Sequence, residues 1–310
     1  MTLEALIAIL HGSIEMGIIY AIMTLGVFIS FRTLNMPDMT VDGSFVLGAA
    51  ISAVLCTGGY PVLGLIIAFI AGAGAGSITA LLHTKLKIQP LLAGILMMLA
   101  LYSINIKVMG KKSNIPLNNK PTIFTPFEGT ALEDNIYLII CTGILLVLLI
   151  SLFLFLRTRL GFVLRATGDN EDMVRALGVN TDTTKLIGLA IANGLTALSG
   201  AIIAQYQSFA DVGMGIGMVT IGLASVIIGE VIWEAIFGIK SLLRRLLAVV
   251  LGAIIYRLVI ALALEIGMPA TDLKLISAII VASALSIPAV RDRLNLMRKR
   301  IAAANKNKGV

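Results

Sequence analysis

Charge is what this sequence has least of. Asp, Glu, Lys and Arg make up 13% of its 310 residues, where soluble globular chains carry about 25%. Hydrophobic residues make up 58%, and the mean hydropathy is +0.99. Too few polar groups remain to cover a water-facing surface, which excludes a cytosolic enzyme. Cysteine is scarce as well: Cys56 and Cys141 both fall in apolar runs, so no disulfide framework is expected. The two histidines, His11 and His83, stand alone, with no Cys or carboxylate at ligand spacing. No metal site is therefore expected, and no Ser/His/Asp set stands out for nucleophilic catalysis. The first apolar run lacks a basic flank and a clear cleavage site, so it is not read as a secretory leader. A phosphate loop, G-x-x-x-x-G-K-[ST], is missing too. The nearest string ends in Gly110-Lys111-Lys112, with Asn105 in place of the first Gly and Lys112 in place of Ser or Thr. If this chain works with ATP, a partner supplies the ATP site.

What the sequence has in abundance is long apolar runs. They lie at about 14–31, 41–57, 61–83, 88–106, 136–156, 186–206, 216–232, 246–264 and 273–288. Lipid offers a bare backbone amide no partner, so each run is expected to be a helix. The expected fold is an all-α polytopic transmembrane protein of about 8–10 spans. A single transmembrane domain covers 1–290, and 291–310 forms a basic cytoplasmic tail expected to contact anionic lipid head groups.

The net charge is +7. Between apolar runs, basic residues mark cytoplasmic loops, so a lipid bilayer and not nucleic acid is the expected partner. Placing the tail in the cytoplasm brings Lys240, Arg244 and Arg245 to that side by alternation. Arg157, Arg159, Arg165, Arg175 and Lys185 follow, then Lys85, Lys87 and Arg32. Eighteen basic residues then face inward. Five face outward: Lys107, Lys111, Lys112, Lys120 and Lys274. The N-terminus is external on this reading. The 107–135 loop is the longest external segment, either a connector or a docking surface for an outside partner.

The longest internal loop, 157–185, carries helix punctuation. Asp169 or Asn170 can cap a helix start, and Glu171 and Asp172 follow where acids complement the dipole. Met173, Val174, Ala176 and Leu177 give a short apolar face, and Gly178 ends the helix. About two turns of helix are marginal alone, so this one rests on the membrane surface or docks into another protein.

Other features carry two readings each. Asn35–Ser44 is a turn in which Asp38 or Asp42 caps the next helix, or a broken stretch lining a pathway. Asn35, Asp38, Asp42 and Ser44 are pathway candidates, together with Gly215 and Gly217 from a glycine cluster placed at the external start of a span. Gly72, Gly74 and Gly76 are read as helix packing. Arg257, within a span, is expected to pair with Glu230 or to snorkel. Trp233 and Phe237 are read as interface anchors.

The stretch RATGDNEDMVRALGVNTDTTKLIGLAIANGLTALSGAI (165–202) resembles the coupling region of permeases of the branched-chain amino acid/ribose family of ABC importers. Arg165, Ala166, Gly168, Glu171, Ala176, Leu177, Gly178, Val179, Asn180 and Lys185 carry the likeness, followed by Ala197, Gly200 and Ala201. LNMPDMTVDGSFVLGA (34–49) and IGLASVIIGE (221–230) agree with it. The tryptophan/tyrosine-type and uncharacterised subgroup is the most similar.

The resemblance implies a permease subunit, commonly a homodimer, in a bacterial plasma membrane. Gly168, Asp169, Asn170, Glu171, Met173, Ala176, Leu177 and Gly178 would meet a cytoplasmic ABC ATPase that uses ATP and Mg. An extracellular substrate-binding (lipo)protein would deliver a small solute, with tryptophan or tyrosine the first choice. The chain itself would catalyse nothing and bind no cofactor. The rival reading is an ATPase-independent secondary transporter or channel, which intramembrane acids and inverted repeats would favour.

Overall fold

The apolar runs fold as helices. The computed structural model describes residues 3–127, 135–237 and 241–266, with 275, 278, 279, 282, 283 and 286. In chain order the helices are α1 (Leu3–Val27), α2 (Thr40–Thr57), α3 (Pro61–Thr84), α4 (Pro90–Val108) and α5 (Ile136–Arg157). Then come α6 (Arg159–Asp169), α7 (Glu171–Ala176), α8 (Thr181–Gln207), α9 (Met218–Phe237) and α10 (Leu242–Glu265). Among the described residues, 7 helices are long and apolar enough to cross a membrane. The protein is an all-α, multi-pass membrane protein. The run at 273–288 and the tail at 291–310 lie outside the described residues, apart from the isolated positions named above.

Small residues decide which helices touch. The buried centre is α8, packed against α1, α2 and α3. A Cβ on Gly72 or Gly76 of α3 would strike α8 at Asn193 or Leu189, whereas Gly74 faces open space. The cluster therefore packs with a four-residue period, as a helix face requires. On α2, Gly48 lies against the Ala197 carbonyl of α8, and Gly200 of α8 lies against the Phe45 carbonyl. The outer faces of α3, α4 and α5 keep large apolar side chains exposed, Ile70, Leu99 and Val147 among them. That is the pattern of helices bathed in lipid.

The helix ends gather into two groups. At one end, here the basic end, Arg32 reaches Glu230, Lys185 reaches His83, and Gly168 packs on Thr33. At the opposite end, Asn114–Pro116 (β1) pairs antiparallel with Phe209–Asp211 (β2), with Ile115 across from Ala210. This ladder was not expected from the sequence, because three-residue strands show no periodicity. The 107–127 loop is tied down beside it. Gln205 accepts the Ile123 N–H at 2.8 Å and donates to Ser52 Oγ at 2.9 Å. Phe124 is buried against Tyr137, with ring centroids 4.7 Å apart. On α1, Glu15 is buried, accepting from the Tyr206 hydroxyl at 2.9 Å, with His11 Nε2 at 3.3 Å.

Candidate functional site

Two polar regions stand out in this apolar bundle, one at mid-depth and one at the basic end. The first starts where the first span ends. Phe28–Thr33 forms a π-helical turn and Asn35 takes a left-handed φ of 52°. The chain then re-enters the bundle before α2 begins. Asp38 marks the depth: it is buried, and its Oδ2 accepts from Asn193 Nδ2 at 2.7 Å. Asn193 lies near the middle of the 27-residue α8. Asp38 Oδ1 accepts the Thr40 N–H at 2.9 Å, satisfying one of the orphan donors at the start of α2. Asn193 Oδ1 accepts the Ser44 hydroxyl at 2.8 Å, and the Thr40 and Thr79 hydroxyls meet at 2.8 Å. Buried polar groups persist where they are mutually satisfied.

Asp42, in the first turn of α2, serves the start of a different helix. Its Oδ2 accepts the Gly217 N–H at 3.0 Å and its Oδ1 accepts the Val219 N–H at 2.8 Å. A carboxylate there complements the positive end of α9. Gly217 has a φ of 89°, and a Cβ on Gly215 would strike the Asp42 carbonyl oxygen. Within the glycine cluster Gly215 is buried against α2, whereas Gly213 and Ile216 are exposed. After β2 the chain descends along α2 before α9 starts. At the far end of α9, Glu230 accepts from Arg32 Nε at 3.0 Å. The whole of α9 has 20 residues, Met218–Phe237, and is about 30 Å long. Of the two readings of Arg257, the pair with Glu230 does not form, because Glu230 is held by Arg32. Arg257 lies over the Tyr20 ring at 4.9 Å, with Nη2 against the Met16 sulfur.

A cavity of about 300 Å³ opens beside this junction, lined by Met39, Asp42, Met98, Tyr102, Asn105 and Gly215, among others. Asn105 donates to the Gly43 carbonyl at 3.1 Å, while its Oδ1 is buried with no partner among the described residues. Of the pathway candidates, Asp42 and Gly215 line this cavity and Gly217 caps onto Asp42. Asp38 and Ser44 are buried in the adjoining network. Asn35 is elsewhere, at the basic end beside His83, Glu171 and Lys185.

The second region is the 157–185 loop. The sequence placed one short helix in it, and the structure has two. Thr158 caps α6 by accepting the Gly161 N–H at 3.2 Å. Asn170 ends α6 and caps α7, accepting the Met173 N–H at 3.0 Å. Gly178 closes α7 with a φ of 81°, donating to the Arg175 carbonyl at 2.9 Å. Asn180 then caps α8 through the Asp182 and Thr183 N–H groups, at 3.0 and 3.3 Å.

One carboxylate ties the loop to the bundle. Glu171 accepts from Lys185 Nζ at 2.7 Å, from Arg175 Nη2 at 2.8 Å and from the Thr181 hydroxyl at 3.1 Å. Lys185, itself buried, also meets His83 Nε2 at 3.1 Å, which joins α7 to α8 and α3. Partial burial pushes the Glu171 carboxyl upward, but Lys185, Thr181 and Arg175 outweigh it and hold the group below its usual range. Val174 is buried beneath α7, whereas Met173 is 50% and Leu177 73% exposed. Ala176 and Gly178 are exposed beside them, Asp169 and Asn170 lead into them, and Gly168 packs on Thr33. Glu171 thus faces inward as an anchor, and an apolar pair one turn apart faces out.

Asn193 and Asn105 were overlooked in the sequence, although an amide inside an apolar run is the signal for a buried polar contact. Glu15 was overlooked for the same reason. Among the described residues, no group of three His, Cys, Asp or Glu could hold a metal ion.

The family model described as branched-chain amino acid transport system, permease component, matches residues 9–284. A tyrosine transport system permease protein of Clostridioides difficile is 42% identical over 271 residues, covering 87% of this chain and 88% of that one. A probable branched-chain amino acid transport permease protein, LivH, of Methanocaldococcus jannaschii is 27% identical, covering 84% and 88%. The ribose import permease protein RbsC of Escherichia coli is 25% identical, covering 79% and 74%. No solved structure matches the chain.

Proposed function

The chain belongs to the branched-chain amino acid transport system permease family, and from that premise we propose that it forms the solute pathway of an ATP-driven importer. The observation that carries this reading is α7: a capped helix pinned by Glu171, with Met173 and Leu177 turned outward. An apolar pair on a rigid mount suits docking to a partner that pushes. The partner is an ABC ATPase, which holds ATP and Mg, while this chain is non-catalytic. The basic end faces the cytoplasm of a bacterium, the N-terminus lies outside, and the membrane is the plasma membrane, in keeping with the Lys and Arg bias. A second copy completes the pathway, and an extracellular binding protein delivers the solute at the β1–β2 end.

Force on α7 passes through Glu171 and Lys185 to the start of α8. From there it reaches Asn193, and so the Asp38–Asp42 junction, along one continuous helix. The cavity at Asp42 and Asn105 lies beside that junction. The solute is an amino acid, with tyrosine or tryptophan first, supported by the similarity to the tyrosine permease. The test is reconstitution in vesicles with the cognate ATPase and binding protein. Tyrosine uptake that requires internal ATP is expected. Uptake by this chain alone, without ATP, would instead establish a self-contained transporter.

A further inference from the structure

A second cavity, of about 320 Å³, lies at the basic end between the end of the first span, α6 and the start of α10. Arg32, Arg165 and Arg245 line it with one carboxylate, Asp169. Arg32 is engaged by Glu230 at 3.0 Å. Among the described residues, neither Arg165 nor Arg245 has a carboxylate within ion-pair distance. Among the described residues the buried Arg165 Nε has no acceptor. An unmet buried donor is costly, and the surrounding charge favours an anionic acceptor.

The rest of the wall agrees. Ser241 and Leu242 bring the N-terminus of the 24-residue α10 to the cavity, and a helix start favours an anion. Phe28 and Phe162 form an apolar side, with the Arg165 guanidinium 5.7 Å from the Phe162 ring centre. With Arg32 neutralised by Glu230, Arg165 and Arg245 against Asp169 leave one net positive charge. That matches a singly charged phosphodiester better than a doubly charged monoester.

We propose that this cavity binds a phosphate group, held by Arg165 and Arg245 at the start of α10. Guanidinium groups match phosphate oxygens as planar, two-pronged donors. The phosphodiester of an anionic phospholipid and free phosphate share this chemistry. The proposal does not depend on the role assigned to α7.

The test uses the full chain in phosphatidylcholine nanodiscs, read by its thermal unfolding midpoint. One arm titrates phosphatidylglycerol into the discs, and the other adds inorganic phosphate to the buffer. The midpoint of the wild type is expected to rise with phosphatidylglycerol. Arg165→Gln and Arg245→Gln should each need on the order of tenfold more for the same rise, and Arg159→Gln, an exposed arginine outside the cavity, should behave as wild type. A rise with inorganic phosphate alone, lost in the same variants, supports the site with free phosphate as its source. If Arg165→Gln fails to fold, the exposed Arg245→Gln decides. No rise with either ligand overturns the proposal, as do variants that respond like wild type. Weakened ATPase capture in the variants, with an unchanged phosphatidylglycerol response, would assign these arginines to protein docking and also overturn it.

Discussion

The junction around Asp38, Asn193 and Asp42 and the loop around Glu171 are both polar networks tied to α8, but they differ in what they leave unpaired. At the junction, carboxylates and amides satisfy helix starts and one another, and little is offered outward except into the adjoining cavity. At the loop, Glu171 and Lys185 are turned to the bundle and two apolar side chains are left in the open. The difference teaches how a membrane bundle can be stiff inside and adhesive at one edge. Charge in a low-dielectric interior must be paired, whereas an apolar pair in water gains by being covered.

The comparison breaks most visibly at Asn193. Asn193→Leu removes the partner of the buried Asp38 carboxylate and of Ser44, and a stability loss of about 3 kcal/mol or more is expected. Thermal unfolding in nanodiscs would show it, and a loss below about 0.5 kcal/mol would mean that the junction is not a closed network. Next in size, Asp42→Ala uncaps α9 and should cost about 1–2 kcal/mol. Faster hydrogen exchange at 217–221, with α2 unchanged, is the expected signature, and Asp42→Asn should recover part of the protection.

The loop should respond more weakly. Lys185→Met leaves Glu171 partly exposed at the edge of the bundle and still paired with Arg175, so a loss of about 1 kcal/mol is expected. A spin label at Asp172→Cys should gain mobility while the global unfolding midpoint barely moves. The smallest effect is on pH. A carboxyl held below its ordinary range stabilises the fold above the unfolded value of about 4.3, and that contribution is lost as pH falls through the lower folded value. Mobility of the same label is therefore expected to stay flat from neutral pH down to about 5 and to rise only below about 4. A rise already between pH 6 and 7 would contradict the assignment of this response to Glu171.

The spans were readable because lipid enforces apolar helices, and α7 was readable because Asn170, Glu171 and Gly178 are local punctuation. The cap of α9 was not readable. Hydropathy marks 216–232 as a run, yet the carboxylate that caps its start is Asp42, 175 residues away in the chain. The pairing of Glu230 with Arg32, rather than Arg257, is long-range in the same way. The helix α6 was hidden because its charges resemble a loop when read along the chain. Its buried face, formed by Gly161, Leu164 and Thr167, appears only in the packed structure.

The most direct measurement of the central claim is ATPase stimulation in the reconstituted importer carrying Met173→Ala and Leu177→Ala together. Both side chains are half or more exposed, so folding should be unchanged while solute-dependent stimulation and ATPase capture fall by on the order of tenfold or more. Full stimulation in a stably folded double variant would contradict the account and place the contact with the ATPase elsewhere on the chain.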